Sequence, residues 1–105
     1  MSSTRVFTNT PKPLGVDEEV AYWIDTLPWG GTPTSVTVKV YDVTGGAYTD
    51  VTTTIMPSGS ASVVGNVINL PVMKAVTAKH VYRLEVKFTS AGNKVECWGY
   101  ILGEL

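Results

Sequence analysis

Most protein chemistry needs residues that this chain scarcely has. It carries one cysteine and one histidine, Cys97 and His80. A single cysteine excludes an internal disulfide and a two-cysteine metal pair, so the fold must hold by packing alone. Charged residues make up only 16% of the chain, 8 basic against 9 acidic, for a net charge of −1. The lysines and arginines stand singly, not in the cluster that displaces counterions from phosphates, which argues against nucleic acid as a direct partner. No apolar run approaches the roughly 18 residues of a membrane span, and Met1–Arg5 opens without an apolar signal core. The expectation is a soluble chain made in a cytoplasm without a signal peptide, with no membrane partner. No Gly-rich phosphate loop precedes a helix, and no serine sits in a nucleophile-elbow context.

What the chain does have is strand-forming sequence. At 105 residues it is long enough for one hydrophobic core and too short for two, so residues 1–105 read as a single domain. Hydrophobic residues, 44% of the total, exclude a disordered chain. Threonine and valine are abundant, and branching at Cβ suits a pleated surface. The 10 glycines and 6 prolines punctuate the chain with turns, and no helical period is sustained.

Residues 1–15, with Pro11, Pro13 and Gly15, read as a loose or extended arm, with a short edge strand at Thr4–Phe7 as the alternative. The first clear strand is Glu19–Asp25, with Val20, Tyr22 and Ile24 on one side and Ala21 and Trp23 on the other. Leu27–Pro33 breaks it. Ser35–Tyr41 alternates with Val36, Val38 and Val40 inward; Thr49–Ile55 suits an edge strand; Val63–Val64 and Val67–Leu70 flank the turn pair Gly65-Asn66. Tyr82, Leu84, Val86 and Phe88 then alternate with Arg83, Glu85 and Lys87, and Ser90–Asn93 turns the chain into a final strand. Seven short antiparallel strands with turns every 8–12 residues describe an all-β Greek-key sandwich. Tyr82, opening its strand after a loop, matches the tyrosine corner of immunoglobulin-like sandwiches, where the hydroxyl bonds upstream backbone; an ordinary strand tyrosine is the alternative.

Three constellations bear on chemistry. A Cys97 thiol with a His80 base would need both within hydrogen-bond reach. A two-residue hairpin turn pairs residues whose numbers sum to 183, which sets Cys97 opposite Val86 and about 20 Å up the strand from His80. Cys97 therefore reads as a small buried hydrophobe and His80 as a loop residue. Asp17-Glu18-Glu19 reads as a solvated strand entrance, because successive carboxylates on extended chain diverge where calcium needs them convergent. Asp42 and Asp50 bracket Gly45-Gly46, where a metal is conceivable and turn-forming aspartates are the simpler reading. No catalytic, metal-binding or cofactor-binding residue is assigned, no cofactor is expected, and the chain does not read as an enzyme.

Val20–Asp25, Ser35–Val40 and Tyr82–Asn93, with Trp23 and Trp29, resemble the small immunoglobulin-like or fibronectin-III-like domains of tailed-bacteriophage and prophage structural proteins. The resemblance covers roughly residues 16–102. It implies an immunoglobulin-like Greek-key β-sandwich and a non-enzymatic structural or assembly module of a phage-like particle, tail- or virion-associated. Its partners would be other particle proteins or itself. The alternative is a carbohydrate-binding or adhesion module that uses exposed aromatic residues.

The aromatic residues supply the candidate interface. With the odd pairing sum, Trp98, Tyr100 and Leu102 lie on the outer face beside Tyr41, Arg83 and Lys87; a bulged three-residue turn would bury them instead. The odd register is favoured because Lys94 and Glu96 share parity with Trp98 and are poor core residues. Such an apolar stripe is expected to be covered by a neighbour. Trp29 joins the candidates either as a solvent-facing loop tip or as a lid folded onto the core.

Overall fold

The computed structural model of the protein describes residues 12–105. Among them are eight strands: β1 (Lys12–Gly15), β2 (Trp23–Asp25), β3 (Thr34–Asp42), β4 (Thr49–Asp50), β5 (Ser62–Val64), β6 (Val67–Asn69), β7 (Val81–Ser90) and β8 (Asn93–Glu104). They form a five-stranded sheet, in the order β1-β8-β7-β3-β4, and a three-stranded sheet, β2-β6-β5. One four-residue helical turn, α1 (Thr52–Ile55), accompanies them. The chain is all-β, with its core between the two sheets.

The β7–β8 hairpin is the longest element, and its register matches the odd sum: Ser90 faces Asn93, Val86 faces Cys97 and Tyr82 faces Ile101. Ala91 and Gly92 both take positive φ, 50° and 79°, the requirement of the two-residue turn whose twist matches the strands. Tyr82, Leu84, Val86 and Phe88 are consequently buried, with Cys97 and Ile101 from β8. The smaller sheet contributes Ile24 and Ile68, and the loops contribute Leu70, Met73 and Val76.

Four expectations are corrected. First, residues 12–15 are not loose arm: they form β1, which runs parallel to β8 from Lys12 beside Ile101 to Gly15 beside Glu104 and buries Leu14. The strands are therefore not all antiparallel, and among the described residues they number eight where the sequence predicts seven. An edge strand at Thr4–Phe7 lies outside the described residues. Second, Thr49–Ile55 is a strand only at Thr49–Asp50. Ile55 and Met56 are adjacent and both buried, which alternating strand geometry forbids and a helical turn allows.

Third, Glu19–Asp25 pairs as a strand only from Trp23, although Val20 bridges Met73. Leu70 N–H donates to the Tyr22 carbonyl at 2.9 Å, and Val20 and Met73 exchange bonds at 2.9 and 3.1 Å. The numbers of the paired residues sum to 92 and then 93, so Pro71-Val72 inserts one extra residue and interrupts the ladder. The expected two sides nevertheless hold: Ile24 is buried and Trp23 points out. Fourth, Val40 is buried, but Val36 and Val38 are only half-buried and packed on the core rim. β4 pairs with β3 only at Tyr41 and Asp42, so these valines have a strand neighbour on one flank.

Asp25, Asp42 and Asp50 each end a strand and start a helical turn. In every case the aspartate Oδ1 accepts the backbone N–H two residues on (Leu27, Thr44, Thr52) at 3.0 Å. This local bond offers the backbone a partner outside the ladder. At the end of the sandwich where β7 begins, the Tyr82 ring is buried and its hydroxyl accepts the Thr77 N–H at 2.8 Å. The same loop lies hard against Gly103, where a methyl group would collide with the Thr77 carbonyl oxygen. Lys79 N–H donates to the Gly103 carbonyl and Gly103 N–H to the His80 carbonyl, at 2.8 and 2.9 Å.

Tyr82→Phe keeps the ring and leaves the Thr77 N–H without its acceptor, so we expect a loss of about 0.5–1.5 kcal/mol in denaturant melts. A melting curve identical to the parent's would show that the bond contributes nothing to holding this loop.

Candidate functional site

The outer face of the five-stranded sheet carries most of the candidate residues, and the register explains why. Tyr41, Arg83 and Tyr100 form one cross-strand row, Lys39, Glu85 and Trp98 the next, and Thr37, Lys87 and Glu96 a third. Leu102 continues the β8 side, paired with Val81 on one flank and Pro13 on the other.

The structure corrects the expectation of a bare apolar stripe. Trp98, Tyr100, Tyr41 and Leu102 are half-buried, and charged side chains lie among them. The Arg83 guanidinium carbon sits 4.8 Å from the centre of the Trp98 ring, a cation–π contact worth about 0.5–1 kcal/mol where partly exposed. Arg83 Nη1 donates to the Tyr100 hydroxyl at 3.2 Å and Nε to Glu85 Oε2 at 2.7 Å. Burial works against the guanidinium charge, but these bonds to Glu85 and Tyr100 outweigh it and hold the proton more tightly than usual.

Glu85 also accepts the Tyr48 hydroxyl. That bond is the main reason the Tyr48 phenol is pushed up to about 12, with burial second. The Tyr48 ring in turn stacks on Tyr41, centroids 4.2 Å apart and planes 16° from parallel. Lys87–Glu96 and Lys39–Asp50 pairs at 3.3 and 3.6 Å border the cluster; they are well exposed and add little stability. The result is a surface of tyrosine, tryptophan and arginine whose side chains hold one another in place. Strand alternation could not reveal Tyr48, because it reaches Tyr41 only through the compact turn at Thr44–Gly46.

Trp29 does not belong to this face. It closes the turn at Leu27–Trp29 and packs edge-on against Phe88, ring centres 6.2 Å apart, so of its two readings the lid on the core is the observed one.

The residues tested for chemistry lie apart. Cys97 is buried beneath the sheet, its Sγ donating weakly to the Val86 carbonyl at 3.6 Å, and burial pushes its thiol up to about 12. His80 sits just ahead of β7, and its Nδ1 lies 2.6 Å from Asp42 Oδ2. An ionised carboxylate only accepts, so Nδ1 carries the proton in this contact. Asp42 Oδ1 takes the Thr44 hydroxyl at 2.6 Å, and that hydroxyl accepts the Val81 N–H at 3.0 Å. The network stitches the end of β3 to the start of β7.

Asp50 is engaged separately with Thr52 and Lys39, so Asp42 and Asp50 do not converge. In the acidic run, Glu18 takes the Gly15 N–H at 2.6 Å and Glu19 pairs with Lys74 at 3.7 Å. No three histidine, cysteine or acidic residues come together among the described residues in a way that could hold a metal ion. Likewise, no helix there is long and apolar enough to cross a membrane.

A second feature escaped the sequence reading. On the outer face of the three-stranded sheet Trp23 is 69% exposed, directly opposite Asn69. Val64, also 69% exposed, stands opposite Val67 in the adjoining row. The alternation of Glu19–Asp25 sets Trp23 on the side away from Ile24, but which side faces out, and what surrounds Trp23 there, depends on β5 and β6 pairing with it.

Comparison with family models, with curated proteins and with solved structures finds no match for this chain.

Burial opposes ionisation of Asp42, yet hydrogen bonds from Thr44 and His80 outweigh it and hold the carboxyl below its ordinary range. A depressed folded-state value means that the stabilisation is present above an ordinary carboxyl value of about 4 and is lost as pH falls through the lower folded value. Asp42→Asn should thus be less stable than the parent at neutral pH, with the gap narrowing on acidification below about pH 4. Urea melts across that range check this; a gap independent of pH would show that the charge on Asp42 is irrelevant.

Proposed function

We propose that this chain is a non-enzymatic structural or assembly module, an immunoglobulin-like sandwich that works through protein–protein contacts in a phage-like particle. The strand orders support the immunoglobulin-like part. In that fold one sheet holds strands B, E and D and the other C, F and G. Lettering β2, β3, β5, β6, β7 and β8 as B to G gives orders B-E-D and G-F-C here. The Tyr82 hydroxyl, held by backbone five residues upstream, sits as a tyrosine corner does. Assignment to a phage-like particle rests on the resemblance of Val20–Asp25, Ser35–Val40 and Tyr82–Asn93.

The observation that carries the contact function is the Arg83 cluster. Interface centres are enriched in tryptophan, tyrosine and arginine, and a few such residues supply most of the binding energy. Arg83, Trp98, Tyr100, Tyr41 and Tyr48 combine those residue types on one sheet face, already ordered by mutual bonds. Side chains fixed before binding lose less freedom on binding. Such a face suits another particle protein.

Mass spectrometry of particles purified from the source should find the chain. Trp98→Ala should fold like the parent, because Trp98 faces outward, yet bind its particle partner more weakly by about 2 kcal/mol or more. Absence from the particles, or incorporation of the variant at the parental level, would sink this reading.

Trp23 favours a second reading, a carbohydrate-binding or adhesion module. A flat indole 69% exposed beside Asn69 and near Asp25 offers both an apolar platform and hydrogen-bonding groups. Titration with neutral oligosaccharides should then change the tryptophan fluorescence of the parent but not that of Trp23→Ala. No response at millimolar sugar removes the reading.

A further inference from the structure

The β5 strand, Ser62–Val64, is the outer strand of the smaller sheet, and its backbone geometry leaves one residue facing away from its neighbour. A two-residue turn, Gly65-Asn66, joins it to β6, so Val64 and Val67 form the bonded pair next to the turn, and Ser62 and Asn69 the following one. Val63, opposite Ile68, lies between them, and its N–H and C=O therefore point out of the sheet. No described residue pairs with that edge.

The side chains there are apolar and open. Val63 shares the inner side with Ile24 and Ile68, which are 5% and 0% exposed, yet it is itself 41% exposed. The apolar side of the sheet thus ends in an open valine along this flank. Val64 stands out on the opposite side.

Sheet edges are normally blunted by charge, proline or a bulge. Among the other outer strands, β1 carries Pro13, β2 carries Asp25, and β4 is two residues long and ends in Asp50. Ser62, Val63 and Val64 carry no charge, proline or bulge, and their shortness is the one such device they have.

We propose that the outer edge of β5 is a strand-pairing surface, and that its partner is the same edge of a second copy of this chain, antiparallel about a twofold axis through Val63. The charge pattern selects this occupant. An uncharged edge offers a charged strand no counter-ion, and its best complement is an equally uncharged one. In the twofold register Val63 and the partner's Val63 exchange both N–H···O bonds, so the outward groups of one residue satisfy those of its copy. The half-exposed inner valines then cover each other, and Ser62 meets the partner's Val64. At the ends Ala61 meets the partner's Gly65, small against small, with no like charges opposed. The two smaller sheets join into one of six strands.

A pairing this short covers far less than the roughly 800 Å² per partner of a stable interface. The dimer is accordingly weak and reversible, populated near millimolar chain. It is separate from the Arg83 face and does not rest on the function proposed above.

Sedimentation equilibrium of the full chain up to about 1 mM should show a monomer–dimer equilibrium. Exchange of the Val63 amide hydrogen should slow as concentration rises, while exposed loop amides such as Ser58 stay unchanged. Val63→Lys, with a parental circular dichroism spectrum, should dimerise about tenfold or more weakly, whereas Trp98→Ala should dimerise like the parent. A parent that stays monomeric throughout, or a folded Val63→Lys that dimerises as well as the parent, overturns the proposal. Should Val63→Lys fail to fold, the parent alone decides: concentration-independent exchange at Val63 overturns it equally.

Discussion

The register of the β7–β8 hairpin is the constraint on which the rest of the molecule depends. Ten residue pairs follow from the turn at Ala91-Gly92, and β1 and β3 both add to this hairpin. A slip of one residue would turn Tyr82, Leu84, Val86 and Phe88 outward relative to Cys97 and Ile101 and split the core between two faces. It would also turn Trp98 and Tyr100 inward, against a core with no counterpart for Lys94 and Glu96. One turn thus fixes both what is buried and what the outer face presents. The turn achieves this with an alanine at φ 50°, a conformation that side chains disfavour and that the long hairpin sustains.

With no disulfide available, two polar clusters close the ends of the sandwich. At one end Asn66 links the smaller sheet to the loop after β2: its carbonyl accepts the Thr26 N–H and hydroxyl at 2.8 and 2.7 Å, and its side-chain oxygen accepts the Thr32 N–H at 3.0 Å. The Ser90 hydroxyl donates to the Gly31 carbonyl and ties that loop to the end of β7. Both Thr26 and Ser90 are fully buried, so the bonds are made away from water, where leaving them unmade costs most. At the other end the Thr77–His80 loop is held by Tyr82, Gly103 and Asp42. Strands of three residues cannot stand alone. The smaller sheet stays in place because its ends are tied as well as its apolar face buried.

The two outer faces differ in character for the same structural reason. Long strands on the larger sheet bring oppositely charged side chains into neighbouring rows, so Arg83 finds Glu85, Tyr100 and Trp98 within reach and the aromatic rings are partly covered. The smaller sheet has three-residue strands and one charged residue, Asp25, on that face, leaving Trp23 and Val64 uncovered. Recognition by the first face would use pre-ordered polar and aromatic groups; the second offers apolar surface and, along β5, unpaired backbone.

Sequence alone determined the class of fold and the inward set of β7, because side-chain alternation is a local property; it favoured the two-residue turn that places Trp98, Tyr100 and Tyr41 outward, and the observed register settled it. It also pointed to the burial of Cys97, through parity, and separated Trp23 from Ile24 on opposite sides of the strand. The tertiary structure decided whatever depends on which strands become neighbours. Alternation cannot tell that Lys12–Gly15 pairs in parallel with β8, that Ile55 and Met56 both turn inward on a helical turn, or that Pro71-Val72 interrupts the ladder to β2. Nor can it tell that Arg83 covers Trp98 while Trp23 stands bare. Those outcomes are set by contacts between residues far apart in the chain, whose partners are chosen only when the sheets assemble.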